Sequence, residues 1–170
     1  MKSSARRLAG FSLSALLPMA VLSAAALAPR PAHAESDARL IERGRYVVAL
    51  AGCNDCHTPG YAQYEGKVPE AERLTGDRLG WRGPWGTTYP ANLRRYFAGV
   101  SEREWLAAAA NASYRPPMPL ATLRHMSERD LRAVYRYVRS LGPAGEAAPA
   151  YLPPGSDPLG PVVMFPAPPN

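Results

Sequence analysis

Two thiols and an imidazole fall within one short stretch, Cys53-Asn54-Asp55-Cys56-His57. Thiols separated by two residues on a single helical turn can add together across the two vinyl groups of one haem. A histidine directly after the second thiol is then carried beneath the iron, where its ring nitrogen can ligate. The 170-residue chain has only 2 cysteines, so one such site consumes both. Cys53 and Cys56 are therefore read as thioether donors to one covalently attached haem c, with His57 as an axial ligand of its iron. The other chemistries of a Cys-x-x-Cys pair fit less well. A redox disulfide of this spacing belongs with a βαβ pattern, which is not apparent here. A structural zinc site takes four Cys or His ligands. A stapling disulfide across a two-residue loop is strained.

The N-terminal stretch reads as an export signal. Lys2, Arg6 and Arg7 precede an apolar run over residues 15–28, and Ala32-His33-Ala34 forms a small-x-small cleavage site. Cleavage is expected after Ala34. The competing reading, an uncleaved membrane anchor, is weakened by the shortness of the run and by Pro18 within it. Arg6-Arg7 also resembles a twin-arginine signal. The whole chain carries 20 Lys+Arg against 14 Asp+Glu. Residues 1–34 hold Lys2, Arg6, Arg7 and Arg30 and no acid, which leaves 16 bases, 14 acids and a net +2. The excess of basic residues thus belongs mainly to the leader, and no segment interleaves bases with aromatics as a single-strand binder does. Nucleic acid is not an expected partner. The bacterial periplasm is the expected compartment, and its oxidising chemistry suits an exported pair of cysteines.

Three helices are expected to position the motif. Leu40, Gly44, Val47, Val48 and Ala51 make one apolar face of a helix over residues 37–51 that runs into Cys53. A glycine inside a helix costs about 1 kcal/mol against alanine, so Gly44 makes sense where another helix crosses closely. The expected partner spans residues 127–141, with Ser127 as N-cap, the stripe Leu131, Val134, Tyr135, Val138 and Leu141, and Gly142-Pro143 as the stop. A third helix over residues 101–112 opens on a capping box, Ser101 with Glu104, and cannot pass Pro116-Pro117. Residues 58–100 read mostly as loop wrapped round a cofactor. Within it Trp81, Arg82, Trp85, Tyr89, Asn92 and Tyr96 are candidate donors to the haem propionates. Residues 143–170 are rich in proline, which excludes helix and disfavours strand. Tyr151-Leu152 and Val162-Val163-Met164-Phe165 are too apolar for a free linker, so this extension is expected to pack on the domain. The expected division is 1–34 signal, 35–142 haem domain and 143–170 extension.

An electron-carrying haem needs a second axial ligand, and Met118, His125, Met126 and Met164 are available. Met118 is favoured, because Arg115-Pro116-Pro117-Met118-Pro119 is a stiff loop that loses little entropy in presenting a thioether. Met126 adjoins the expected cap and suits packing. His125 would give a bis-histidine site of lower potential, and Met164 reads as core filling. An open sixth position would instead make a haem enzyme or a gas or redox sensor, for which His125 is the single acid–base candidate.

A helix with Gly44, the motif 53–57, the loop methionine Met118 and a closing helix occur in the order of class I c-type cytochromes. Gly83-Pro84-Trp85-Gly86 through Asn92, then Pro117-Met118-Pro119 and Met126-Ser127-Glu128, resemble the small periplasmic monohaem cytochromes of proteobacteria, some of whose relatives are electron-accepting subunits of membrane dehydrogenases. The resemblance covers about residues 38–142. It implies a mainly α, cytochrome c-like fold, in which three or more helices and long loops surround one haem. It also implies thioether roles for Cys53 and Cys56, proximal ligation by His57 and distal ligation by Met118. The implied activity is outer-sphere electron transfer between redox proteins such as a dehydrogenase and an oxidase, as a free carrier or within a larger complex, and not catalysis. A partner would dock over the exposed haem edge. Arg115, Arg124, Arg129, Arg132, Arg136 and Arg139 would steer an acidic partner if they share a face; a solvated helix surface is the alternative.

Overall fold

The computed structural model describes residues 35–166. The expected signal and its cleavage site lie outside the described residues, apart from Glu35 at the new N-terminus. Among those residues there are six α-helices and three short strands. The helices are α1 (Asp37–Leu50), α2 (Cys53–His57), α3 (Leu93–Gly99), α4 (Glu102–Ala110), α5 (Leu120–His125) and α6 (Glu128–Leu141). The strands are β1 (Gly80–Gly83), β2 (Gly86–Thr88) and β3 (Val162–Met164). None of these helices is long and apolar enough to cross a membrane.

The architecture is set by the crossing of α1 over α6. A Cβ placed on Gly44 would lie 2.0 Å from the Ala133 carbonyl oxygen and 2.6 Å from the Tyr137 Cβ. Only a residue without a side chain lets the two backbones meet there. Val47 and Val48 of α1 then bury against Leu131, Val134, Tyr137 and Val138 of α6. Tyr137, not Tyr135, is the fully buried tyrosine of α6, at 1% exposure. It lies one turn after Ala133 and so fills the space opposite Gly44.

Caps fix where α4 and α6 begin. Ser101 and Glu104 form a reciprocal capping box at the start of α4. The Ser127 hydroxyl accepts from the Asp130 N–H at 3.1 Å. Trp105 joins α4 to α6 through its indole N–H, which donates to the Leu131 carbonyl at 2.8 Å. Its ring meets Phe97 of α3 edge-on, 4.8 Å between centroids.

Residues 58–100 carry more structure than their composition suggests. Gly83-Pro84-Trp85-Gly86 is a two-residue hairpin between β1 and β2, and Gly86 adopts a φ of 98°. Asn92 caps α3, its side-chain oxygen accepting from the Arg95 N–H at 3.0 Å. The short 3-10 turn Glu70–Glu72 is tied to both long helices, since Glu70 accepts from Arg45 Nε at 2.7 Å and from the Tyr137 hydroxyl at 2.9 Å. The hydrogen bond from Arg45, followed by that from Tyr137, holds the Glu70 carboxyl below its ordinary value of 4.5. Its contribution to stability is therefore whole above that value and is lost as pH falls through the lower folded one. Glu70→Gln is expected to lower the melting temperature at neutral pH and to converge with the parent in acid. A gap that stays constant down the acid limb would count against this linkage.

The extension differs from its expected character. It does form strand, because Val162–Met164 is a proline-free run of apolar, partly β-branched residues that can bond with a neighbour. β3 pairs in parallel with β1 in the order β2-β1-β3, with Gly80 opposite Val162. Met164 is 65% exposed on this edge strand and fills no core. Phe165 carries the contact instead, packing against Trp81 and Trp85 at 5.9 and 5.3 Å.

Candidate functional site

α1 stops at Ala51, and Gly52 turns the chain through a left-handed conformation (φ 67°) into α2. A side chain at Gly52 would strain that turn and approach the Asp55 carboxylate at 2.8 Å. The elbow delivers Cys53, Cys56 and His57 on one short helix. The thiols are three residues apart, on one helical face, and neither is in a disulfide. Burial pushes the Cys53 thiol up to about 11 and raises that of Cys56 in the same direction. Redox-active cysteine pairs carry lowered thiol pKa values, the opposite direction. Among the described residues no group of three or more His, Cys, Asp or Glu side chains comes together as a metal-binding cluster.

His57 is 8% exposed. Its Nδ1 lies 2.7 Å from the Ala91 carbonyl oxygen. An Nδ1–H donating there leaves the lone pair on Nε2, the form of imidazole that ligates a metal. Burial also pushes its pKa down, which keeps the ring neutral. The loop after α2 is clasped to it. The Thr58 hydroxyl donates to the buried Asn54 side chain at 2.8 Å and accepts from the Leu74 N–H at 2.8 Å, while the Gly76 N–H donates to the His57 carbonyl at 2.9 Å.

Met118 ends the turn Arg115-Pro116-Pro117-Met118, in which its N–H donates to the Arg115 carbonyl at 3.3 Å. Its half-buried side chain and that of Cys53 both pack on the same apolar core. The other candidate ligands are placed elsewhere. Met164 is out on β3. His125 is exposed, with Nδ1 2.7 Å from the Ala121 carbonyl oxygen. His125 and Met126 line a cavity of about 380 Å3 together with Tyr46, Leu50, Ala51 and Thr122. None of Cys53, Cys56, His57 or Met118 lines it, although Ala51 and Thr122 place its wall beside both segments.

Whether these residues suit a haem can be tested on unsatisfied donors. Trp81 Nε1, Trp85 Nε1 and the Thr87 and Thr88 hydroxyls are buried without a hydrogen-bond partner. Each such group costs about 1–3 kcal/mol if left unpaired. Carboxylates of a bound group would satisfy them, so the residues fit haem and its propionates. Asn92, an equal candidate by sequence, is spent on the backbone: its amide donates to the Ala144 and Glu146 carbonyls at 2.7 and 2.9 Å. Arg82 faces Asp157 at 3.5 Å. Thr87 and Thr88 carry no sequence signal beyond their place in the hairpin.

Three of the six basic residues of the last third that could steer a partner are paired with acids. Arg129 pairs with Glu35, Arg132 with Glu102 and Glu128, and Arg136 with Glu102 and Asp37. Arg124 donates to the Ala112 carbonyl, and Arg139 to those of Phe97 and Ala98. Arg115 lies over the Tyr151 ring. Carboxylates thus offset Arg129, Arg132 and Arg136, while Arg115, Arg124 and Arg139 keep their charge against carbonyls or a ring.

Over 124 residues, 66% of this chain, the sequence is 31% identical to a nicotinate dehydrogenase subunit of Pseudomonas putida. Over 129 residues, 69% of this chain, it is 30% identical to the cytochrome c subunits of alcohol dehydrogenase (quinone) from Gluconacetobacter polyoxogenes and Komagataeibacter europaeus. The matched stretch is 10% of the first relative and 24% of the other two, so the chain spans a quarter or less of the curated relatives it matches. No family model and no solved structure matches the chain.

Proposed function

We propose that this chain is a monohaem c-type cytochrome that passes single electrons between redox proteins, with a dehydrogenase as donor, either as a free carrier or within an oxidoreductase complex. The observation that carries the reading is the α2 turn itself. Two free thiols stand on one helical face, next to a buried imidazole whose Nδ1 is held by the Ala91 carbonyl. Similarity to cytochrome c subunits of dehydrogenases supports the same chemistry and the same kind of partner. On this reading residues 1–34 direct export to the periplasm, residues 35–142 bind the haem, and residues 143–170 are an extension packed on them.

Haem, when bound, supplies a ferric–ferrous couple suited to outer-sphere transfer. Cys53 and Cys56 hold it by thioethers, and His57 presents Nε2 to the iron. Met118 presents its thioether from a proline-stiffened turn, so little of the site rearranges on a change of charge. Trp81, Trp85, Thr87 and Thr88 supply donors for the propionates and keep water from that edge.

Met118→Ala in the purified, haem-loaded protein tests the assignment. The parent is expected to be low-spin, to cycle reversibly by one electron and to resist carbon monoxide when reduced. The variant is expected to become high-spin, to bind carbon monoxide and to fall in potential by at least about 59 mV, the equivalent of one tenfold loss of ferrous preference for a one-electron couple. An unchanged spectrum and potential would remove Met118 as ligand. Rapid carbon monoxide binding by the parent would instead favour a sensor or enzyme with an open sixth position.

A further inference from the structure

We propose that Tyr151, in the C-terminal extension, is a positioning residue for Met118, locking the methionine turn against the β1–β2 hairpin. The inference rests on Met118 being an axial ligand, as proposed above.

The geometry is a two-sided contact from one ring. The guanidinium of Arg115 lies over the Tyr151 ring, 3.8 Å from its centroid. The Tyr151 hydroxyl donates to the Trp85 carbonyl at 2.7 Å. Arg115 is the first residue of the four-residue turn whose last is Met118. Trp85 is at the tip of the hairpin that carries the unsatisfied indole N–H groups. One side chain thus links the backbone presenting the thioether to the backbone presenting the candidate propionate donors.

Tyr151 can act as a fixed post because the extension is anchored on both sides of it. Upstream, Asn92 holds the Ala144 and Glu146 carbonyls, and Arg94 Nε donates to the Gly142 carbonyl at 2.6 Å. Next to it, Leu152 exchanges two backbone hydrogen bonds with Thr87, at 2.8 and 3.0 Å. Downstream, β3 pairs with β1 and the Phe165 N–H donates to the Arg82 carbonyl at 2.7 Å. The Asn92 anchor also adjoins Ala91, whose carbonyl orients His57. The extension therefore braces the supports of both proposed ligands, at Asn92 for the histidine and at Tyr151 for the methionine.

The test uses the full-length, haem-loaded ferric protein and reads displacement of the methionine thioether. The readouts are the rate at which imidazole replaces it and the intensity of the methionine–iron charge-transfer band. Losing both the stack and the hydrogen bond in Tyr151→Leu is expected to speed imidazole entry about tenfold. Arg115→Leu should have a smaller effect in the same direction, and the double variant should be no faster than Tyr151→Leu. Tyr151→Phe keeps the stack and should stay within about threefold of the parent. Leu159→Ser, at a fully exposed site on the extension, should change nothing. Imidazole rates unchanged in Tyr151→Leu, or additive effects of Tyr151→Leu and Arg115→Leu, would overturn the proposal. If Tyr151→Leu does not fold, Arg115→Leu carries the test, because Arg115 is exposed. A parent without the charge-transfer band overturns the functional reading and this inference together. A parent with the band and insensitive variants overturns the positioning role alone.

Discussion

Cys53→Ala/Cys56→Ala is expected to yield a protein with the mass of its polypeptide alone and no visible absorbance, and the parent is expected to show the added mass of one haem. The effect is close to all-or-none, because the two cysteines are the only ones in the chain and no other residue can form the thioethers. Stability should fall with it. The hairpin keeps four buried donors without partners, and leaving even two of them unsatisfied costs about 2–6 kcal/mol. That is a large part of the roughly 5–15 kcal/mol typical of a whole domain. Mass spectrometry of the intact protein and thermal melting by circular dichroism check both halves. A parent of unaltered polypeptide mass would end the haem reading. A double variant that melts with the parent would show that the group contributes nothing to the fold. Asp55→Asn, at an exposed position on the same helical turn, should retain full haem content.

Gly44→Ala is expected to be the most damaging single substitution away from the motif. The new methyl would sit 2.0 Å from a backbone oxygen of α6, far inside contact distance, and that oxygen cannot rotate away as a side-chain tip could. α1 and α6 must separate, which loosens the packing of Val47 and Val48 on Val134 and Tyr137. Overpacking of a tight core costs about 1–3 kcal/mol, occasionally more. A backbone clash at the central crossing belongs at the upper end, about 3 kcal/mol. Alanine's better helix propensity returns about 1 kcal/mol at most. The midpoint of urea unfolding, read with the slope held constant, measures the balance. A midpoint equal to the parent's would mean that the helices do not cross at Gly44.

How much of the molecule is legible in its sequence follows from the range of each signal. The three longer helices are legible because periodicity and caps act within a few residues, as at Ser101, Glu104 and Ser127. Gly44 is legible as a close approach because a glycine inside an otherwise good helix needs a reason. The site's thiols and imidazole are adjacent in sequence, so their spacing is enough. The hairpin is not, because Gly83-Pro84-Trp85-Gly86 reads equally as a break, and β1 and β2 are too short for alternation to show. α3 is only seven residues long, below the length at which a period can be recognised. The pattern favours Tyr135 over Tyr137, since both sit near the stripe and only the partner helix decides which one is covered. Met164 looks like core by type. Its exposure depends on a parallel pairing with residues some eighty positions earlier, which no local pattern encodes. The pairing of Arg132 and Arg136 of α6 with Glu102 of α4 is likewise tertiary.

That long-range pairing has a consequence for the order of maturation. Gly80 cannot meet Val162 until the far C-terminal segment is available, and contacts of such sequence separation form late. Cys53, Cys56 and His57 precede that moment by most of the chain. Until then one edge of β1 has no strand beside it, and Trp81 and Trp85 lack the cover of Phe165. The C-terminal segment is therefore the last piece of that sheet to be added, and Phe165 covers the two indoles only when it arrives.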